Sequence, residues 1–304
     1  MSEHSIYKSE EGKNVILNAY ETYLKTFDCE FQRVYVHTRF GLTHTLVTGP
    51  PDGKPVFILQ GGNCINPMTL SWFSSLIRDY RIYAPDTIGH PGFSDETRVS
   101  AKDNSFALWI SDLMEHFKVE KSAFIGPSYG GGIVLRLATW MPEKISCAVL
   151  VAPAGLRLGS KIKMIHKILL PMIGFKINSS PKKLQKIADV MSFKSMKEED
   201  KNIIGIIFKK VKLEQDMPKL TEKKELLNYS APTLVLVGEH DIFFPAKGVI
   251  ETAEAIITNG VTKMYEMGHF PSKEYLRVMS EDIKEFLNSN YDQENNIELL
   301  FFEN

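Results

Sequence analysis

The chain has 304 residues, 43% of them hydrophobic and 24% charged, enough for one large α/β domain or two small ones with a full core. Its net charge of −1 gives no global electrostatic reason to expect a nucleic-acid partner. Three cysteines, Cys29, Cys64 and Cys147, match no metal-site spacing, and their odd number argues against a disulfide framework. The first residues, MSEHSIYKSEEGKNVILNAYETYL, lack the apolar core of a signal peptide. The longest uncharged apolar run in the middle of the chain, residues 168–175, is too short to span a bilayer and contains Pro171. The expectation is a cytoplasmic protein without stable membrane insertion.

Residues 9–26 carry helical spacing and predict an N-terminal amphipathic helix. Two strand-like runs follow, 31–38 and 43–48, separated by Phe40-Gly41 in the manner of a hairpin. After the turn Pro50-Pro51-Asp52-Gly53, short apolar runs alternate with helical segments. The runs are 55–60, 81–85, 122–126, 146–151, 233–238 and 261–265; the helices are expected near 68–78, 105–117, 129–141, 248–257 and 273–288. Nearly continuous apolar strands separated by helices predict a parallel sheet covered on both faces. With the leading hairpin the sheet has eight strands. Residues 288–304 are rich in Asn and Glu and are expected to pack loosely or fray.

One stretch breaks the rhythm. About 80 residues between Val151 and Thr233 show helical pattern and no good strand, which makes them a separate helical module rather than a loop. The predicted division is a core of residues 1–154 and 231–304, with a helical cap at 155–230. The cap holds 17 Lys+Arg against 8 Asp+Glu, a net +9, and leaves the remainder at −10. Two readings fit this charge: a lid drawn to an anionic surface or acidic substrate, or lysine-rich solvated helix faces.

The strongest chemical signal is Gly126-Pro127-Ser128-Tyr129-Gly130 between an apolar strand and a helix. In that setting G-x-S-x-G is a nucleophile elbow, with the serine hydroxyl at the tip of a strained turn. A serine hydroxyl does not ionise near neutral pH and needs a base. Of eight histidines, His269 stands apart because it follows the last strand, on the side where strand C-termini gather. The acid that orients it should follow the preceding strand, where Asp241 is the natural candidate and Glu239 the reserve. The backbone N–H of Tyr129, and that of Gly62 in Gln60-Gly61-Gly62-Asn63, are the candidate oxyanion donors. Cys64 adjoins this loop; it is read as apolar filler or as a neighbour of the site.

These residues resemble the α/β-hydrolase superfamily across roughly 31–154 and 231–288. Asp86-Thr87-Ile88-Gly89-His90-Pro91-Gly92-Phe93-Ser94 is similar to that family's D-x-x-G-x-G-x-S turn, lengthened by one residue, with His90 structural. The N-terminal Ser9–Lys13 stretch and the hairpin around Thr38–His44 resemble Bacillus-type carboxylesterases. Gln60-Gly61 departs from the family's common His-Gly. The resemblance implies an α/β-hydrolase fold and a serine hydrolase acting on small carboxylic esters through an acyl-enzyme, with Ser128, Asp241 and His269 catalytic and no metal or cofactor. Met164, Ile168, Leu169, Met172, Phe175, Met191 and Phe208 of the cap are candidates to line an acyl or alcohol pocket, which would suit a lipophilic ester, with core packing the alternative for most of the methionines. A carbon–carbon bond hydrolase or small peptidase would use the same triad. A non-catalytic ligand-binding module on this fold is the alternative of another class. A dehalogenase is excluded, because it needs an aspartate where Ser128 stands.

Overall fold

A computed structural model describes residues 5–292. Its frame is a sheet of eight strands in the order β1-β2-β4-β3-β5-β6-β7-β8. β1 (Gln32–Thr38) and β2 (Gly41–Thr48) form the expected hairpin. β3 (Pro55–Ile58), β4 (Arg81–Pro85), β5 (Ser122–Pro127), β6 (Ile145–Val151), β7 (Thr233–Gly238) and β8 (Gly260–Tyr265) run parallel to one another. β2 is antiparallel to both of its neighbours.

The apolar strands are continuous in sequence because both of their faces are buried. Val56, Ile58, Ala123, Ile125, Val149 and Val151 point to one side, among α1 (Glu10–Leu24), α2 (Asn66–Leu70) and α10 (Lys273–Leu287). Phe57, Phe124, Ala148, Leu150, Val235 and Val237 point to the other, among α3 (Ser105–His116), α4 (Tyr129–Trp140) and α9 (Ala246–Ile256). The period of two along each strand thus divides one apolar run between two cores. Burying a large aliphatic side chain in either contributes on the order of 2 kcal/mol.

Two expectations need correction. The helix read over 68–78 is a short α2 followed by a 3₁₀ segment, Ser71–Leu76, within which Phe73 leaves helical geometry at φ −118°, ψ 16°. The chain after α10 does not fray at once. Tyr291 is buried, its hydroxyl donates to the carbonyl of Pro55 at 2.7 Å, and its ring stacks on Tyr80. A tyrosine with a partnered hydroxyl is a good anchor at the edge of a core. The rest of that tail, from 293, lies outside the described residues.

Between β6 and β7 the chain is helical. α5 (Lys161–Met164), a π-helical turn (Ile165–Leu169) and α6 (Leu170–Asn178) run on without a break. α7 (Pro181–Ser192) follows, and α8 (Glu198–Lys210) has acids in its first turn and lysines in its last, in accord with the helix dipole. This module does not stand alone. Lys8 N–H donates to Lys210 O and Lys212 N–H to Ile6 O, so residues 6–8 pair with the chain leaving α8.

That returning chain also grips the helix behind the elbow. Arg136 of α4 is buried and donates to Glu225 at 3.1 Å and to Thr221 at 2.7 Å. Burial opposes ionisation of Glu225, but the Glu222 N–H, the Lys219 ammonium and the Arg136 guanidinium outweigh it and hold the carboxyl at about 2. A depressed carboxyl stabilises the fold above its ordinary value of 4.5, and that contribution is lost as pH falls through about 2. Glu225→Gln should therefore lower unfolding free energy by about 2 kcal/mol or more at neutral pH. Urea titrations across pH would show the deficit shrinking as the solution is acidified below that ordinary value.

Candidate active site

β5 ends in the elbow. Ser128 sits at φ 52°, ψ −118°, a strained conformation for a residue with a side chain. Its N–H donates to Val151 O at 2.8 Å, and its carbonyl accepts the Ala154 N–H at 2.9 Å, so the backbone is held from the end of β6. The turn needs glycine on both sides. A Cβ on Gly126 would lie 2.5 Å from Gly130 C, and one on Gly130 would lie 2.5 Å from Leu59 O. Ser128 is consequently fixed over the first turn of α4, where backbone N–H groups point outward.

Asp241 lies in the turn after β7 and His269 in the loop after β8. His269 Nδ1 and Asp241 Oδ2 are 2.8 Å apart, and both residues are buried. The other carboxylate oxygen accepts the Phe243 and Phe244 N–H groups at 2.7 and 3.1 Å. Those two bonds aim Oδ2 at Nδ1, where the carboxylate is placed to accept the ring's Nδ1–H. Phe243, Phe244 and Phe270 surround the ring edge-on at 4.8–5.6 Å between centroids. Glu239, the reserve acid, is exposed.

Ser128, His269, Gly62 and Tyr129 all line one cavity of about 1040 Å³. Met164, Ile168, Leu169, Met172, Met191 and Phe208 supply much of its wall, as expected from the sequence. Phe175 does not. It packs under α7 and α8, beside Leu184 and Lys209, where it belongs to the core of the helical module. On the far side of Ser128 and His269 is a recess of about 30 Å³ that includes Cys64, Thr69 and Trp72. Cys64 is therefore both buried and next to the site. Burial raises its thiol to about 12, and its Sγ donates to Gly61 O, so it behaves as packing rather than as a nucleophile.

The loop carrying Gly62 is held from several directions. Gln60, in place of the common histidine, is buried and donates to Cys64 O at 2.5 Å and Pro91 O at 3.0 Å, while accepting the Thr87 N–H. The amide thus ties the β3 loop to the β4 turn. Asn63, at φ 51°, makes a two-way bond with Glu214, its amide donating to the Glu214 carbonyl and its carbonyl accepting the Glu214 N–H. His90 is buried, and burial together with the charge of Arg98 lowers it to about 3, which keeps it neutral beside Tyr129 and the Asn63 N–H. His90 has the structural place expected of it. His44 is a second buried histidine on a carboxylate, Asp86, at 2.9 Å. It lies inside the core with Tyr20 and Phe93 and braces the β4 turn.

One contact carried no signal in the sequence. The Met191 carbonyl, at the end of α7, accepts the N–H groups of both His269 and Phe270, at 2.7 and 3.1 Å. Phe193 then stacks on His240 at 3.8 Å between centroids. The helical module is in this way bonded to the loop that carries His269. Among the described residues no group of three His, Cys, Asp or Glu side chains converges to hold a metal ion.

Residues 54–176 match the family described as alpha/beta hydrolase fold. The chain is 27% identical over 308 aligned residues to the carboxylesterase nap of Bacillus subtilis, covering 95% of this chain and 98% of that one. It is 23% identical to the carboxylesterase YbfK of the same organism, over 88% and 92% of the two chains. The crystal structure of the B. subtilis naproxen esterase superposes with a TM-score of 0.80 at 22% identity, covering 92% of this chain and 99% of that one.

The join between module and histidine loop is tight. A Cβ on Gly268 would lie 2.7 Å from the Met191 carbonyl oxygen and from the Phe193 nitrogen, which are backbone atoms with little room to yield. Gly268→Ala is expected to destabilise the fold by about 1–3 kcal/mol in chemical denaturation, as overpacking does.

Proposed function

Because the chain has the α/β-hydrolase fold and resembles the Bacillus carboxylesterases, we propose that it is a serine hydrolase of carboxylic esters. Ser128 is the nucleophile, His269 the general base and Asp241 the residue that orients it. The observation that carries this reading is the bonded Asp241–His269 pair opening onto the same cavity as a strained elbow serine. The carboxylate keeps Nδ1 protonated, so the free Nε2 can take the hydroxyl proton as Ser128 attacks the ester carbonyl. The oxyanion then forms over the first turn of α4, with the Tyr129 and Gly62 N–H groups as its donors. His269 passes the proton to the leaving alcohol, and the same base activates water to release the acid.

The substrate class follows from the cavity wall. Methionine, isoleucine and phenylalanine side chains dominate the side formed by the helical module, which serves as a cap. Such a surface favours an apolar acyl or alcohol group, held beside one polar reacting centre. On this reading, a lipophilic ester is preferred to a charged one of equal size.

Hydrolysis of a p-nitrophenyl ester series tests both parts. Ser128→Ala should lower kcat at least about ten-thousandfold, and fluorophosphonate labelling should vanish with it. Asp241→Asn should lower kcat strongly while leaving the fold intact, since the amide no longer enforces the required tautomer. Labelling of folded protein at a residue other than Ser128 would sink the assignment, and equal turnover of charged and apolar esters would sink the substrate class.

A further inference from the structure

The helix running from Lys161 to Asn178 is apolar on two adjoining sides. Its inner side presents Ile168, Met172 and Phe175 to the buried core. Its outer side presents Ile162, Ile165, Leu169, Leu170, Ile173 and Ile177 to solvent, with Ile162 71% and Ile177 80% exposed. Ile162, Ile165, Leu169, Ile173 and Ile177 recur every three or four positions, with Leu170 beside them, so they form one continuous stripe. A contiguous apolar stripe on a surface helix normally marks an interaction site. Here all six side chains of the stripe are at least 42% exposed.

The stripe is set in positive charge. Residues 158–188 contain seven lysines and no aspartate or glutamate. Lys161, Lys163, Lys167 and Lys176 lie on the helix itself and are exposed. Among the described residues none of the seven has a carboxylate at ion-pair distance, whereas lysines elsewhere, such as Lys13, Lys201 and Lys263, do. The stripe also borders the large cavity. Ile165, Leu169 and Ile173 are exposed and at the same time line the space that contains Ser128 and His269.

We propose that this face is a docking surface for an anionic lipid bilayer. Exposed isoleucine and leucine side chains enter the boundary between headgroups and acyl chains, and the flanking lysines lie at the level of the phosphates. Charge decides between a bilayer and a second copy of this chain. Two such faces brought together would set one run of unpaired lysines against another, whereas an anionic surface neutralises them. The adsorption is peripheral, since no helix among the described residues is long and apolar enough to cross a membrane. Docked in this way, the cavity mouth faces the lipid, so an apolar molecule passes from bilayer to cavity without crossing water. The docking itself does not depend on the hydrolase reading.

The test is co-sedimentation of the full chain with vesicles of phosphatidylcholine alone, and with vesicles of equal parts phosphatidylcholine and phosphatidylglycerol. The expected result is at least tenfold stronger partition onto the anionic vesicles, weakened by added salt. A basic residue at such a surface contributes roughly fivefold in partition. Lys161→Glu/Lys163→Glu/Lys167→Glu should therefore lose at least tenfold, while Lys247→Glu on α9 should lose little. Ile162→Glu/Ile177→Glu, whose side chains do not line the cavity, should also lose tenfold or more with an unchanged circular dichroism spectrum. Ser128→Ala should bind as the wild type does, so loss of hydrolysis and loss of docking are read separately. Equal partition onto both vesicles, no partition onto either, or unchanged partition of the Ile162/Ile177 variant would overturn the proposal. So would a dimer in sedimentation velocity that this variant splits, which would assign the stripe to a second copy.

Discussion

The site rests on an approach of backbones that leaves no space for a side chain. At the end of β5 the chain reverses into α4 so closely that the Gly126 and Gly130 positions are occupied, where a Cβ would stand, by Gly130 itself and by the Leu59 carbonyl. The turn forces Ser128 to a positive φ, and the strain is offset by two backbone hydrogen bonds to residues at the end of β6. Three parallel strands, β3, β5 and β6, thus converge on one residue. The loops after β3, β7 and β8 then have only one place to meet, the C-terminal edge of the sheet above it. The position of each candidate group is a consequence of strand direction and order.

A second level of organisation is built from main-chain polar groups. Asp241 is aimed by the N–H groups of Phe243 and Phe244, the His269 loop by the Met191 carbonyl, and the Gly62 loop by the Asn63–Glu214 pair. Each of these bonds, except the two within the Asp241 turn, crosses between the loops of the sheet and the inserted segment. Buried backbone groups have to be paired, so a module that closes over the site also has to share hydrogen bonds with it. The helical insertion is therefore fastened at the end of α7 and along 212–222. The helix from Lys161 to Asn178 lies outside those fastenings, with an exposed apolar stripe that runs along the border of the cavity.

Much of this was legible beforehand because it depends on local pattern. Apolar runs bounded by turns located the strands within one or two residues, since a strand buried on both faces admits few polar residues anywhere along it. G-x-S-x-G was readable because a steric requirement acts on residues adjacent in the chain. Asp241 and His269 were readable from their place after strands. Phe175 and Tyr291 were misjudged, because which face of a helix meets which neighbour is not written in an apolar residue.

The sequence by itself therefore determined the order of strands and helices, the elbow, and the residue types offered at the ends of β5, β7 and β8. Those features come from covalent neighbours, dihedral preferences and the periodicity of side chains along one element. Tertiary structure alone decided that Met191 bonds the His269 loop, that Gln60 bridges two loops, and that Cys64 is sealed beside the site. It alone decided which side of the Lys161–Asn178 helix is left bare. Such facts depend on backbone atoms, which every residue carries alike, and on surfaces that meet only after the chain has closed on itself.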